Sequence, residues 1–133
     1  MKDRHVLIVA IAFVLTTAAA NAQDFAGEYA DKNYHGGSVF QLSLEQSGSD
    51  VSVFFSAVHS DGSGAAPEAD GKGKVTGGAV QFTWSDNFNN SGSGTIKKSG
   101  KDVIVSIKAT KVADPRCLQF YGDNIRLKPA EKK

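Results

Sequence analysis

Beyond residue 22, apolar residues recur at every second position in short runs separated by Gly- and Ser-rich turns, and helical periodicity is nearly absent. A period of two sends successive side chains to opposite faces of a strand, so this pattern restricts the chain to sheet with one apolar face. In "SVFQLSLEQ", Phe40, Leu42 and Leu44 share one face. After the turn "SGSD", "VSVFFSAV" sets Val51, Val53, Phe55 and Ala57 together, and after "TGG", "AVQFTW" sets Val80, Phe82 and Trp84 inward. "SGTIKK" and "DVIVSIKA", joined across "SGK", read as a hairpin with Val103, Val105 and Ile107 on one side.

The remaining segments are less regular. "FAGEYA" reads as a short first strand, and "HSDGSGAAPE" as a loop by composition. In "ADGKGKV" the inward positions include Gly71 and Gly73, which signal a bend or the close approach of another backbone or a ligand. "TKVADP" reads as an irregular connection, and "RCLQFYG" with "NIRLK" as a last hairpin turning at Gly122 and Asp123. About eight antiparallel strands in one small domain leave two economical solutions, a closed eight-stranded barrel or a two-sheet β-sandwich. The barrel is expected, because closure removes edge strands from a chain without a disulfide. A barrel of eight strands is wide enough to be filled by side chains or to hold one small ligand.

The N-terminus is set apart from the fold. Lys2 and Arg4, the apolar run "HVLIVAIAFVL" and the small-residue pattern of "AAANAQ" predict a cleaved signal peptide over residues 1–22 and a single domain over 23–133. The expected location is periplasmic or secreted, with no membrane span after cleavage. Cys117 is the one cysteine, so no intrachain disulfide forms, and its apolar neighbours predict a buried, inert thiol. Residues 23–133 carry 13 basic and 13 acidic groups, which argues against a nucleic-acid partner. The charge is uneven: residues 23–70 hold eight acidic groups against Lys32 alone, and 71–133 hold twelve basic against five acidic. Neutralisation across neighbouring strands is the simplest expectation, and an acidic patch for a basic partner the alternative.

Catalytic patterns are sparse. His35 lies in "KNYHGG", a turn, and His59 beside "SDG" at a strand end, where adjacent residues point apart and make a poor triad. The cluster Asp86, Asn87, Asn89, Asn90 lacks the terminal acidic ligand and the glycine of a calcium loop. Gly92 and Gly94 precede no helix and form no phosphate loop. By elimination the chain reads as a binding protein rather than an enzyme, with no cofactor and no metal.

Two stretches resemble known families. Phe25, Ala26, Gly27, Glu28 and Tyr29 resemble the first-strand signature of lipocalin-like barrels, with Arg126 placed to lay a cation over the Tyr29 ring. "SGSGTIKKSGK", residues 91–101, resembles the Ser-rich loop of periplasmic inhibitors of C-type lysozyme, matching at Ser91, Gly92, Ser93, Gly94, Ser99 and Gly100; Lys97 stands where that family has Tyr. The resemblance implies that the 85–100 loop enters a muramidase cleft, with Ser91 and Ser93 as inserting hydroxyls. Lys97, Lys98 and Lys101 are then suited to cleft carboxylates, and Phe88 is either a brace for the loop or a contact residue. The expected partner is another protein, a lysozyme-like enzyme. The alternatives are a lipocalin-like carrier of a small apolar ligand, held by Phe40, Phe55, Phe82 and Trp84, and an envelope immunity or accessory protein.

Overall fold

A computed structural model describes residues 23–130; the expected signal peptide and residues 131–133 lie outside the described residues. Eight antiparallel strands run round a closed barrel in chain order: β1 (Gly27–Tyr34), β2 (Ser38–Ser47), β3 (Asp50–His59), β4 (Glu68–Thr76), β5 (Ala79–Asp86), β6 (Ser91–Ser99), β7 (Asp102–Lys111) and β8 (Ile125–Pro129). The barrel, not the sandwich, is the architecture. β8 closes on β1 through only two register pairs, Tyr29 with Pro129 and Ala30 with Lys128. Among the described residues no helix is long and apolar enough to cross a membrane.

The inward positions named from alternation on β2, β3, β5 and β7 are buried: Phe40, Leu42 and Leu44 on β2, Val51, Val53, Phe55 and Ala57 on β3, Val80, Phe82 and Trp84 on β5, Val103, Val105 and Ile107 on β7. Removing these side chains from water is the main driving force for closure. The glycines complete the packing. Gly71 and Gly92 flank Trp84 in register on its two neighbouring strands, and Gly73 and Gly94 flank Phe82 in the same way. A Cβ at Gly71 would overlap the Thr83 carbonyl, one at Gly92 the Lys108 carbonyl, and one at Gly94 the Phe82 ring. The close approach foreseen at Gly71 and Gly73 is therefore that of neighbouring backbone, which lets β4, β5 and β6 bend tightly around two large rings.

The two ends differ. At one, tight turns join β2 to β3, β4 to β5 and β6 to β7; at the other lie the longer 59–68 and 112–124 segments and the 86–90 turn. "RCLQFYG" is not a strand: Pro115–Phe120 is a 3-10 helix, started by Pro115 and by the Asp114 carboxylate accepting the Arg116 N–H at 3.0 Å. It drops Cys117 and Phe120 into the barrel mouth, and Tyr34 Oη fastens it by donating to the Phe120 carbonyl at 2.8 Å. The expected hairpin at Gly122 and Asp123 is absent because β8 pairs with β7 instead.

Two further expectations change. Arg126 does not cover Tyr29, because Arg126 points outward to Asp102 and Ser99 while Tyr29 points inward and donates to the Phe25 carbonyl. The cation near the Tyr29 ring is Lys98, at 5.9 Å. Charge is neutralised across neighbouring strands only in part, by Lys74 with Asp50 and Arg126 with Asp102. The ion pairs among the described residues are Lys74–Asp50, Arg116–Asp114 and Arg126–Asp102, and only the first joins the two halves. The acidic excess lies on the β1–β4 side and the basic excess on β6–β8.

Candidate functional site

The turn from Asp86 to Asn90 is short and extensively pinned. Alternation along β5 carries the inward face from Trp84 to Asp86, so a carboxylate arrives at the barrel mouth, 8% exposed. Its Oδ1 accepts the backbone N–H groups of Phe88 and Asn90, each at 2.9 Å, and its Oδ2 accepts Asn90 Nδ2 at 3.0 Å and Tyr121 Oη at 2.8 Å. Asn89 takes φ 66°, a left-handed conformation that Asn tolerates better than most residues.

Asn90 is fully buried and joins this turn to the segment before the 3-10 helix. Its Oδ1 accepts the Ala113 and Asp114 N–H groups at 2.7 and 2.9 Å, and its Nδ2 also donates to the Asp114 carbonyl at 3.2 Å. Asn87 fastens the other side, exchanging bonds with the backbone of Glu68 at 2.8 and 3.0 Å. No buried side-chain polar atom among the described residues lacks a partner, as a network at low dielectric requires. Burial and the adjacent Asp86 carboxylate raise the Tyr121 pKa. Burial, then the charges of Asp86 and Asp114, push the Cys117 thiol to about 11, which matches the expected inert, buried cysteine.

This network presents Phe88. The ring is half-buried with the Arg116 guanidinium 5.7 Å from its centroid, and Arg116 is held by Asp114 at 2.6 Å. The guanidinium in turn holds the Asp114 carboxyl below its ordinary pKa. Val112 and Leu118, exposed on the segment fastened by Asn90, add apolar surface at this end. The brace of the turn is thus Asp86 with Asn90, and Phe88 is what they display.

The other residues expected in the 85–100 loop are not in a loop. The hairpin strand expected over residues 93–98 is present and reaches back to Ser91, so that Ser91–Ser99 is the whole of β6, with Gly92 and Gly94 facing the core rings. Ser91 and Ser93 therefore lie on the outer wall, and the Ser93 carbonyl accepts Trp84 Nε1 at 3.1 Å. Lys97 is exposed while Lys98 turns inward over Tyr29, so the two do not form one patch. Both sit at the opposite end from Phe88, since Ser91 to Lys98 spans roughly 20–25 Å of strand. His59 bonds Ser38 Oγ at 3.0 Å and Asp61 accepts from Ser63, so no triad assembles there.

The four aromatic residues named for an apolar ligand face one another. Phe55 meets Phe40, Phe82 and Trp84 at centroid distances of 6.0, 6.5 and 5.5 Å, and Tyr121 closes on Phe55 and Trp84 at 5.7 and 5.0 Å. Asp86, Asn90, Asp114 and Tyr121 were not singled out from sequence as a network. The available signal was Asp86 itself, a charged residue on the inward phase of β5. Comparison of the chain with protein-family models, with curated proteins and with solved structures gave no match.

Proposed function

We propose that this chain is an exported, non-enzymatic barrel that binds another protein through the end carrying the 86–90 turn. The observation that carries this reading is Phe88 seated against Arg116 on a turn immobilised by buried Asp86 and Asn90. Aromatic and arginine side chains dominate the energetics of protein interfaces, and a rigid turn reduces the ordering cost of docking. The mutual contacts of Phe40, Phe55, Phe82 and Trp84 favour a protein partner over an apolar guest, because those rings already occupy the space between them.

A lysozyme-type muramidase is the partner implied by the resemblance at residues 91–101. In this version Phe88 leads into the cleft and Ser91 and Ser93 follow from the adjoining wall of β6, as hydroxyl donors to carboxylates. The test is cell-wall lysis by C-, G- and I-type lysozymes in the presence of the mature protein, Phe88→Ala and Ser93→Arg. Inhibition that both substitutions weaken by tenfold or more supports it, and no inhibition of any of the three enzymes removes the muramidase. Capture of a protein from periplasmic extract by the wild type but not by Phe88→Ala tests the wider reading.

A further inference from the structure

The outer wall on the acidic side carries a second surface, independent of the 86–90 end. Phe54 is 45% exposed in the middle of β3, where an outward aromatic ring gains nothing from the core. Its in-register neighbours are Ser43 on β2 and Asp70 on β4. Ser43 Oγ donates to Glu28 Oε2 at 2.6 Å, which fixes a carboxylate on β1 facing the same row. Glu68 lies two residues from Asp70 on the outward phase of β4, and both are exposed. Directly opposed residues on neighbouring strands have Cβ atoms about 5 Å apart, so Asp70 stands beside the Phe54 ring.

Two shallow surface depressions flank the ring. One is lined by Phe54, Ser43, Glu28 and Glu68, the other by Phe54, Asp70 and Lys72. Glu28, Glu68 and Asp70 form no ion pair among the described residues; Lys72 follows Asp70 on the outward phase of β4, and Lys128 of β8 stands opposite Ala30, two residues from Glu28. An aromatic face bordered by carboxylates is complementary to guanidinium, which stacks on the ring and donates paired hydrogen bonds to the acids.

We infer that the Phe54 face, bordered by Glu28, Glu68 and Asp70, docks an arginine-bearing segment of a basic protein partner. The charge separation of the barrel supports this occupant over an acidic one: β1–β4 hold the acidic excess, and the cations of β6 and β7 lie on strands that do not border it, whereas Lys128 of β8 sits beside β1. The Coulomb field of that side steers a cationic segment, and the ring selects arginine over other cations at short range.

The experiment uses a fluorescent peptide of alternating Arg and Gly, its citrulline counterpart, and fluorescence anisotropy at low and physiological salt. The expected result is saturable binding that the citrulline peptide lacks, weakened about fivefold or more by Phe54→Ser and by Asp70→Asn. Asp61→Asn, an exposed acid in the 59–68 loop, serves as the control and leaves affinity within twofold. Equal losses in Phe54→Ser and Asp61→Asn, or no saturable binding at low salt, overturn the inference. Because the muramidase assay reads Phe88 and Ser93, failure of either reading is distinguishable from failure of the other.

Discussion

Asn90 and Asp86 meet at 3.0 Å beneath the turn that displays Phe88, with Asn90 fully buried and every hydrogen-bonding atom of its side chain engaged. Truncating it strands the Ala113 and Asp114 N–H groups and removes one of the donors to the Asp86 carboxylate and to the Asp114 carbonyl. Asn90→Ala is expected to destabilise the fold by about 2–4 kcal/mol, read as a lower urea midpoint with unchanged slope. Asn90→Asp is expected to be at least as damaging, because it sets a second carboxylate against Asp86. A loss below 0.5 kcal/mol in both variants would show that the network does not hold this end.

The glycines of β4 and β6 make a steric prediction. Gly92→Ala is expected to cost about 1–3 kcal/mol, since its Cβ would meet the Lys108 carbonyl, which is backbone and yields little. Gly94→Ala meets the Phe82 ring and the Ser106 carbonyl, so Phe82→Leu is expected to recover part of its loss. A double-mutant cycle measures the coupling, and additive losses would contradict the contact.

Cys117 offers a chemical probe. Fully buried and with its pKa near 11, it is expected to resist a thiol reagent at pH 8 in the native protein and to react in denaturant at the rate of a free cysteine. Rapid labelling of the native state would place the 3-10 helix out of the barrel mouth.

The alkaline side of the stability profile follows from the same groups. Cys117, Tyr34 and Tyr121 all have folded pKa values above their ordinary ones, chiefly through burial. Each therefore binds its proton more tightly when folded. Stability is full below the unfolded pKa values and falls as pH rises past about 9, as the unfolded chain gives up protons that the folded one retains. Denaturant midpoints between pH 8 and 11 test this, and a flat profile would sink it. Of the lowered carboxyls, Asp50 and Asp61 are solvent-exposed and Asp114 is paired with the exposed Arg116, so acid is expected to have a weaker effect.

The filled interior predicts how core substitutions behave. Phe55→Ala removes the ring that touches Phe40, Phe82, Trp84 and Tyr121, and is expected to cost about 3–5 kcal/mol. Trp84 fluorescence in the wild type is expected to be unmoved by a panel of small apolar ligands. A saturable response would instead favour the carrier reading.

Alternation by two determined the greater part of this fold from sequence alone, because a strand has only two faces and burial selects one of them. Phe40, Phe55, Phe82, Trp84 and Val105 point inward on that ground, and the turns at "SGSD", "TGG" and "SGK" join neighbouring strands. Periodicity is silent where a segment obeys no period. The apolar run around Cys117 reads as strand, yet the Asp114 cap and Pro115 make it a 3-10 helix that stops the barrel mouth. Nor can a linear pattern show what lies across from a residue. Ser91 to Gly94 has loop composition, and the rings of Phe82 and Trp84 opposite Gly94 and Gly92 explain why that composition is a strand. Asp86 and Asn90 come from one turn and Asp114 and Tyr121 from the two ends of the 3-10 helix, and Phe54, Asp70 and Glu28 come from three strands. Their meeting depends on register and closure, which are properties of the whole packed barrel rather than of any local run of residues.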